Sequence, residues 1–149
     1  MSRLTIHHSE CRQRYPVCAS DLNSYDIMHG GRLLTLCDEI GYLAARTHAG
    51  SDCLTRAVHE AQFHRAAHAG ETLALRARVG LTGRSSLWTH IEVHADQTGS
   101  LIMDAVFVFV AIVGEHRSRP VPTIHAESYD ELQLQQRLEQ LHTRILPHR

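Results

Sequence analysis

Between Gly30 and about His48 the apolar residues Leu33, Leu36, Cys37, Ile40, Leu43 and Ala44 recur at intervals of three and four. That spacing puts them on one face of a single amphipathic helix, which Ala49-Gly50 ends. From there to about residue 113 only strand patterns follow, over 53–63, 72–82, 86–95 and 101–113. Segment 72–82 alternates Leu73, Leu75, Ala77, Val79 and Leu81 with the residues between them, as a strand buried on one face does. Segment 101–113 is almost continuously apolar apart from Asp104, which suits a central strand covered on both faces. Gly83-Arg84-Ser85 and Gln97-Thr98-Gly99-Ser100 read as tight turns. An earlier strand is expected over 11–18, confined to an edge by Pro16, then a turn-rich loop over 19–26. A polar helix, peripheral by its composition, is expected over about 127–144. The order predicts an α+β fold: one long helix against a five-stranded antiparallel sheet. One helix cannot cover such a sheet, so an apolar edge is left for a second subunit, and a dimer is expected.

At 149 residues the chain is the size of one domain, with its core expected over about 11–122. A net charge of −1 gives no basic field for nucleic acid. The fifteen cations are all arginine, which reads as a compositional bias rather than a phosphate-binding device. No apolar run reaches the roughly 20 residues of a membrane span, and the first eight residues lack the apolar core of a signal peptide. A soluble, cytoplasmic protein is expected. The cysteines, at 11, 18, 37 and 53, form no CxxC pair and are expected reduced. Thirteen histidines are scattered without HExxH, and His90 and His94 would lie about 13 Å apart along a strand. No metal site is expected.

The stretch Asp21-Leu22-Asn23-Ser24-Tyr25-Asp26-Ile27-Met28-His29-Gly30-Gly31, followed by Leu36-Cys37-Asp38-Glu39, resembles the acyl-CoA thioesterases of the hotdog-fold superfamily, in the broad-specificity acyl-CoA hydrolase branch. The resemblance continues through Leu54-Thr55-Arg56-Ala57-Val58, Phe63, Gly70-Glu71, Thr82-Gly83-Arg84-Ser85-Ser86 and Phe107-Val108-Phe109-Val110-Ala111, over roughly residues 13 to 122. A proline usual after Phe63 is missing from His64-Arg65-Ala66-Ala67-His68-Ala69, so the loop there departs from the pattern. The resemblance implies a central helix wrapped by the sheet. It implies hydrolysis of an acyl-CoA to a free acid and CoA, no cofactor beyond the CoA of the substrate, and a homodimer with shared active sites, with a tetramer or hexamer open.

The residues themselves fit that chemistry. Gly30 and Gly31 open a helix whose first amides lack partners and whose dipole favours negative charge. Without a Cβ, a carbonyl can approach those amides, and one fixed donor to a forming oxyanion is worth about 3–4 kcal/mol of barrier. A pair that merely tightens a turn is the alternative. Asp38 lies seven residues after Gly31, on the same helix face, where it borders Leu34 and Ala45 at the rim of the apolar stripe. Glu39 falls further round, within reach of Arg32. A carboxylate at such a rim is open to desolvation that raises its basicity, or is simply a solvated flank residue.

The resemblance makes Asp38 the general base or the nucleophile, and Asn23 the amide that positions water or thioester. The alternative for Asn23 is an Asx-turn. The resemblance further suggests that His29 presents backbone to the carbonyl site and that Thr55 reaches the carboxylate from the facing subunit. Arg84, Ser85 and Ser86 would meet the CoA phosphates, or form only a polar hairpin turn. Two other functions on the same fold remain open: a non-catalytic acyl-CoA-binding module, and a hydratase or dehydratase.

Overall fold

The computed structural model describes residues 2–146. The chain opens with a short strand β1 (Arg3–Thr5), one helical turn α1 (Ile6–Ser9) and a strand β2 (Cys11–Pro16) that stops at its proline, two residues short of the expected end. After a 3-10 turn at Ala19–Asp21 comes the long helix α2 (Gly30–Ala49), closed by Gly50 in the left-handed conformation at φ 71°. Then follow β3 (Cys53–Phe63), β4 (Thr72–Thr82), β5 (Ser86–Ala95) and β6 (Leu101–Val113), with the boundaries the alternation predicts. The chain continues through β7 (Arg117–Ser118) and β8 (Thr123–His125) to α3 (Tyr129–Ile145).

The main sheet is antiparallel in the order β2-β4-β5-β6-β3, and β7 adds two residues to β6. The strands β1 and β8 form a separate parallel pair that the sequence patterns do not reveal. Leu75, Val79, Ile91, Phe107 and Phe109 point to one face of the sheet and pack beneath Leu33, Cys37, Ile40 and Ala44 of α2. Contact is closest at Gly41, where a Cβ would stand 3.1 Å from Phe109 and 3.2 Å from Ile91.

Trp88, Val106 and Val108 occupy the opposite face, beneath Leu134, Leu138 and Leu141 of α3. The C-terminal helix is polar on average, yet it buries these three leucines on the outside of the sheet, each worth roughly 1.5–3 kcal/mol. It sits so close to β4 that a Cβ on Gly80 would fall 2.5 Å from Leu138. Strands β5 and β6 are therefore covered on both faces, which accounts for the unbroken apolar run of β6.

The sheet curls around α2. Gln13 on β2 and Thr55 on β3, the two edge strands, line one groove of about 440 Å³ together with Asp38, Glu39, Tyr42 and Leu43 on the open flank of the helix. Beside it, β3 leaves Leu54, Val58 and Phe63 exposed, so the edge the sequence leaves without cover is this one. Among the described residues no helix is long and apolar enough to cross a membrane.

Candidate active site

The loop ahead of α2 is organised by a residue that the sequence reading left in a turn. Asp21 is 4% exposed, and its carboxylate accepts hydrogen bonds from the Tyr15 hydroxyl (2.7 Å), the Cys18 amide (2.8 Å) and the Arg32 guanidinium (3.2 Å). Burial alone would raise the pKa of this carboxyl, but the Cys18 amide, the Tyr15 hydroxyl and Arg32 outweigh it and hold the pKa below the ordinary aspartate value. One carboxylate thus ties β2 to the first turn of α2. Its backbone carbonyl also accepts from the His29 amide at 2.9 Å, fixing the residue from which the helix starts. Arg32 has a second, longer partner in Glu39 at 3.8 Å, the pair anticipated from the helix wheel.

Asn23 sits at the tip of this loop. Its Oδ1 accepts from the Tyr25 amide at 2.9 Å and the Ile27 amide at 3.2 Å, so the Asx-turn is present. Those bonds use the oxygen alone. The Nδ2 group has no acceptor among the described residues and remains available to donate.

The helix starts without a cap. The His29 ring makes no capping bond, and the amides of Gly30, Gly31 and Arg32 have no partner among the described residues. A Cβ on Gly31 would meet nothing within 4 Å, whereas one on Gly30 would touch the Phe63 ring at 3.4 Å. An anion or a polarised carbonyl has an open approach to these donors.

Two turns further along α2, Asp38 is half-buried on the flank that borders the groove. The Thr55 hydroxyl donates to its Oδ1 at 2.6 Å. This bond lies within one chain, whereas the resemblance placed Thr55 on the facing subunit. The reason is the three-residue connection 50–52, which turns β3 back along α2 and brings Thr55 level with Asp38. Tyr42 and Arg46 clamp that connection through Asp52, at 3.1 and 3.2 Å. Oδ2 of Asp38 has no partner among the described residues, so one carboxylate oxygen is oriented and the other is left to act on a ligand. Asn23 makes no hydrogen bond to Asp38 within the chain and does not line its groove.

Arg84 is exposed in the β4–β5 turn and carries no ion pair among the described residues. Its carbonyl accepts from the Val121 amide at 2.9 Å, and the carbonyls of Ser85 and Ser86 accept from Ala111 and Gly83. Backbone alone therefore shapes the turn. Ser86 lies opposite Val110, which lies opposite Leu54, so the turn stands two strands, roughly 10 Å, from the start of β3.

The divergent loop after Phe63 is held by charge in place of proline. Arg65 makes a two-pronged bond to Glu71 at 3.0 and 2.7 Å, and the Ala67 carbonyl accepts from the Met28 amide at 2.9 Å. The loop thereby braces the Asn23 segment. The Arg65 guanidinium draws the Glu71 carboxyl down from 4.5 to about 2, against burial and helped by the His68 amide. On the outer face, buried Asp104 accepts from His64 (2.8 Å), His90 (3.2 Å) and Arg137 (3.3 Å), which anchors α3. The Asp104 cluster has no local sequence signature, because it joins residues remote in the chain.

The fold and this set of groups define a class. The sequence profile of the thioesterase superfamily matches residues 25–102, and the chain belongs to that family. Among curated proteins it is similar to the cytosolic acyl coenzyme A thioester hydrolase of Homo sapiens, 28% identical over 133 residues that make up 85% of this chain and 35% of that one. The chain thus spans about a third of the length of these mammalian relatives. It is also similar to an uncharacterized acyl-CoA thioester hydrolase, YkhA, of Bacillus subtilis, 25% identical over 76% of this chain and 69% of that one.

Among solved structures, an apo-hexameric acyl-CoA thioesterase superposes with a TM-score of 0.89 at 27% identity, covering 98% of this chain and 99% of that one. An acyl-CoA hydrolase of Staphylococcus aureus in complex with butyryl coenzyme A, coenzyme A and coenzyme A disulfide gives 0.88 at 26% identity, over 99% and 92%. That hydrolase has also been solved with single alanine replacements of an asparagine, an aspartate and a threonine.

Proposed function

We propose that this protein is an acyl-CoA thioesterase in which water and R-CO-S-CoA give the free acid and CoA. The observation that carries the reading is the Asp38 carboxylate, fixed at one oxygen by Thr55 and free at the other, on the flank of a helix whose two-glycine start is uncapped. Its support is twofold. The relatives are named acyl-CoA thioester hydrolases. The asparagine, aspartate and threonine replaced in the Staphylococcus aureus hydrolase are also spaced 15 and 17 residues apart, the intervals that separate Asn23, Asp38 and Thr55.

The thioester carbonyl lies against the Gly30 and Gly31 amides, presented by His29, and its oxygen gains negative charge as the tetrahedral intermediate forms. Asp38 either takes a proton from the attacking water or attacks the carbonyl itself to form a mixed anhydride that water then opens. The Asn23 Nδ2 group positions the water or thioester. The CoA thiolate leaves and is protonated, and Arg84, Ser85 and Ser86 hold the phosphates of its nucleotide.

Because Asn23 does not reach Asp38 within the chain, the complete site takes Asn23 from one protomer and Asp38 from its partner in a homodimer. The exposed apolar edge at β3 is the surface for that pairing, and a hexameric relative fits further assembly of such dimers. Release of free thiol from acetyl-, butyryl- or benzoyl-CoA tests the activity; tight binding of CoA esters without turnover would leave a binding module. The shared site is tested with Asn23→Ala and Asp38→Ala, each inactive alone, unfolded and refolded together. Random pairing makes half the dimers mixed, each with one of its two sites intact, so about a quarter of wild-type activity returns. If both residues serve one site from one chain, none returns.

A further inference from the structure

Phe63 is the last residue of β3, half-exposed although fully apolar, and it faces α2 from the same side of the strand as Thr55 and Val58. The tip of its ring, Cε1 and Cζ, stands 3.4 and 3.5 Å from the place a Cβ on Gly30 would take. The neighbouring Gly31 has no atom within 4 Å of that place. The uncapped amides are therefore walled on one side by an aromatic ring and open on the other. The ring is backed by its own strand: Phe63 pairs with Met103 on β6, and the next two amides, His64 and Arg65, both donate to the Ile102 carbonyl. His64 is held in turn by Asp104 and Arg65 by Glu71. The backbone that carries the ring cannot shift without breaking these bonds.

We propose that Phe63 is a specificity-determining residue that limits the bulk of the acyl group at the carbon next to the thioester carbonyl. The inference rests on the thioesterase reading above, with the carbonyl seated at Gly30 and Gly31. The carbonyl carbon then lies beside the ring, and the next carbon of the acyl group meets the ring before anything else in the chain. A linear acyl group passes the ring edge; a carbon that carries a branch or an aromatic ring collides with it. The acyl groups favoured are straight-chain, and isobutyryl- and benzoyl-CoA are disfavoured relative to butyryl-CoA.

The test compares kcat/KM for butyryl-, isobutyryl- and benzoyl-CoA in the wild type, Phe63→Leu and Phe63→Ala. One or two methylene-sized groups in an apolar pocket shift such ratios by roughly 10-fold or more, so Phe63→Ala is expected to raise isobutyryl over butyryl by about that factor. Phe63→Leu, which keeps apolar volume on a half-exposed site and so folds, is expected between the two. A purely structural role would lower all three substrates by one factor. A ratio unchanged within about two-fold in both variants, or a uniform loss, overturns the proposal while leaving the thioesterase reading standing. A wild type that releases thiol from none of the three overturns that reading and this inference with it.

Discussion

Replacement of Gly31 by alanine separates the chemistry of the helix start from its architecture. Gly31 has an ordinary helical backbone, since the left-handed glycines are Gly50, Gly70, Gly99 and Gly114. A Cβ there meets nothing within 4 Å. Alanine thus brings no clash and removes backbone freedom from the unfolded chain, an effect of up to about 0.5–1 kcal/mol in favour of the fold. For a chain of 149 residues that is a rise in Tm of about 1–4 °C. In the proposed site the same methyl group would project into the space through which the carbonyl approaches the amides. Removing one such donor lowers kcat by about 100- to 1000-fold, or about 2.7–4 kcal/mol. The variant is therefore expected to melt no lower than the wild type and to hydrolyse butyryl-CoA at under a hundredth of its rate. Scanning calorimetry and thiol release on one preparation read both quantities. A kcat within three-fold of wild type would detach the helix start from the reaction. A fall in Tm together with kcat would make Gly31 a packing residue.

Three further outcomes are expected on the proposed function and the fold. Asp38→Asn keeps the Thr55 contact and the shape of the groove but removes the proposed base or nucleophile, so kcat is expected to fall sharply while calorimetric affinity for a CoA ester stays within a few-fold; unchanged kcat would exclude Asp38 from the mechanism. Arg84→Ala raises KM for CoA esters and spares a truncated pantetheine thioester that lacks the nucleotide, and equal effects on both would argue against a phosphate contact there. Glu71 binds its proton more weakly in the fold, at about 2, than in the unfolded chain, near 4.5. Its stabilisation is complete above pH 4.5 and is lost as pH falls from there to about 2, so Tm drops less steeply over that window in Glu71→Gln than in the wild type. Parallel curves would remove the Arg65 pair from the acid response.

Much of this structure was legible because its elements are periodic and its breaks are chemical. The α2 stripe from Leu33 to Ala44 and its Gly50 cap define a helix without reference to anything distant. The four long strands are bounded by glycine turns, so their ends follow from local chemistry. The pair β1 and β8 was not legible, because three-residue strands that meet across the whole chain leave no local period. Asp21 and Asp104 were missed for a related reason. Each looks like a loop or an interruption in sequence and becomes a buried anchor only when Tyr15 and Arg32, or His64 and Arg137, arrive from elsewhere. At the candidate site, helical spacing placed Gly31 and Asp38 on one face of α2, while the choice of these two and Gly30 as site residues came from the resemblance to the thioesterases. The partnership of Thr55 with its own Asp38 was not legible, because it depends on which way β3 turns after residue 52.

The double cover on β5 and β6 has a consequence for how the backbone exchanges its amide protons with solvent. These two strands lie between α2 and α3 and bond to strands on both sides, so deuterium enters them only when the whole molecule opens. The residues proposed for catalysis lie elsewhere: on the loop at Asn23, on the uncapped first turn of α2, and on the outermost strand β3. In a lone chain those segments exchange through small local openings, at a far lower free energy. Burial of β3 against a second copy would slow its exchange toward that of β5. The protection of the amides around Thr55 and Val58, followed as protein concentration is lowered, therefore reports when the edge is covered and when it stands open.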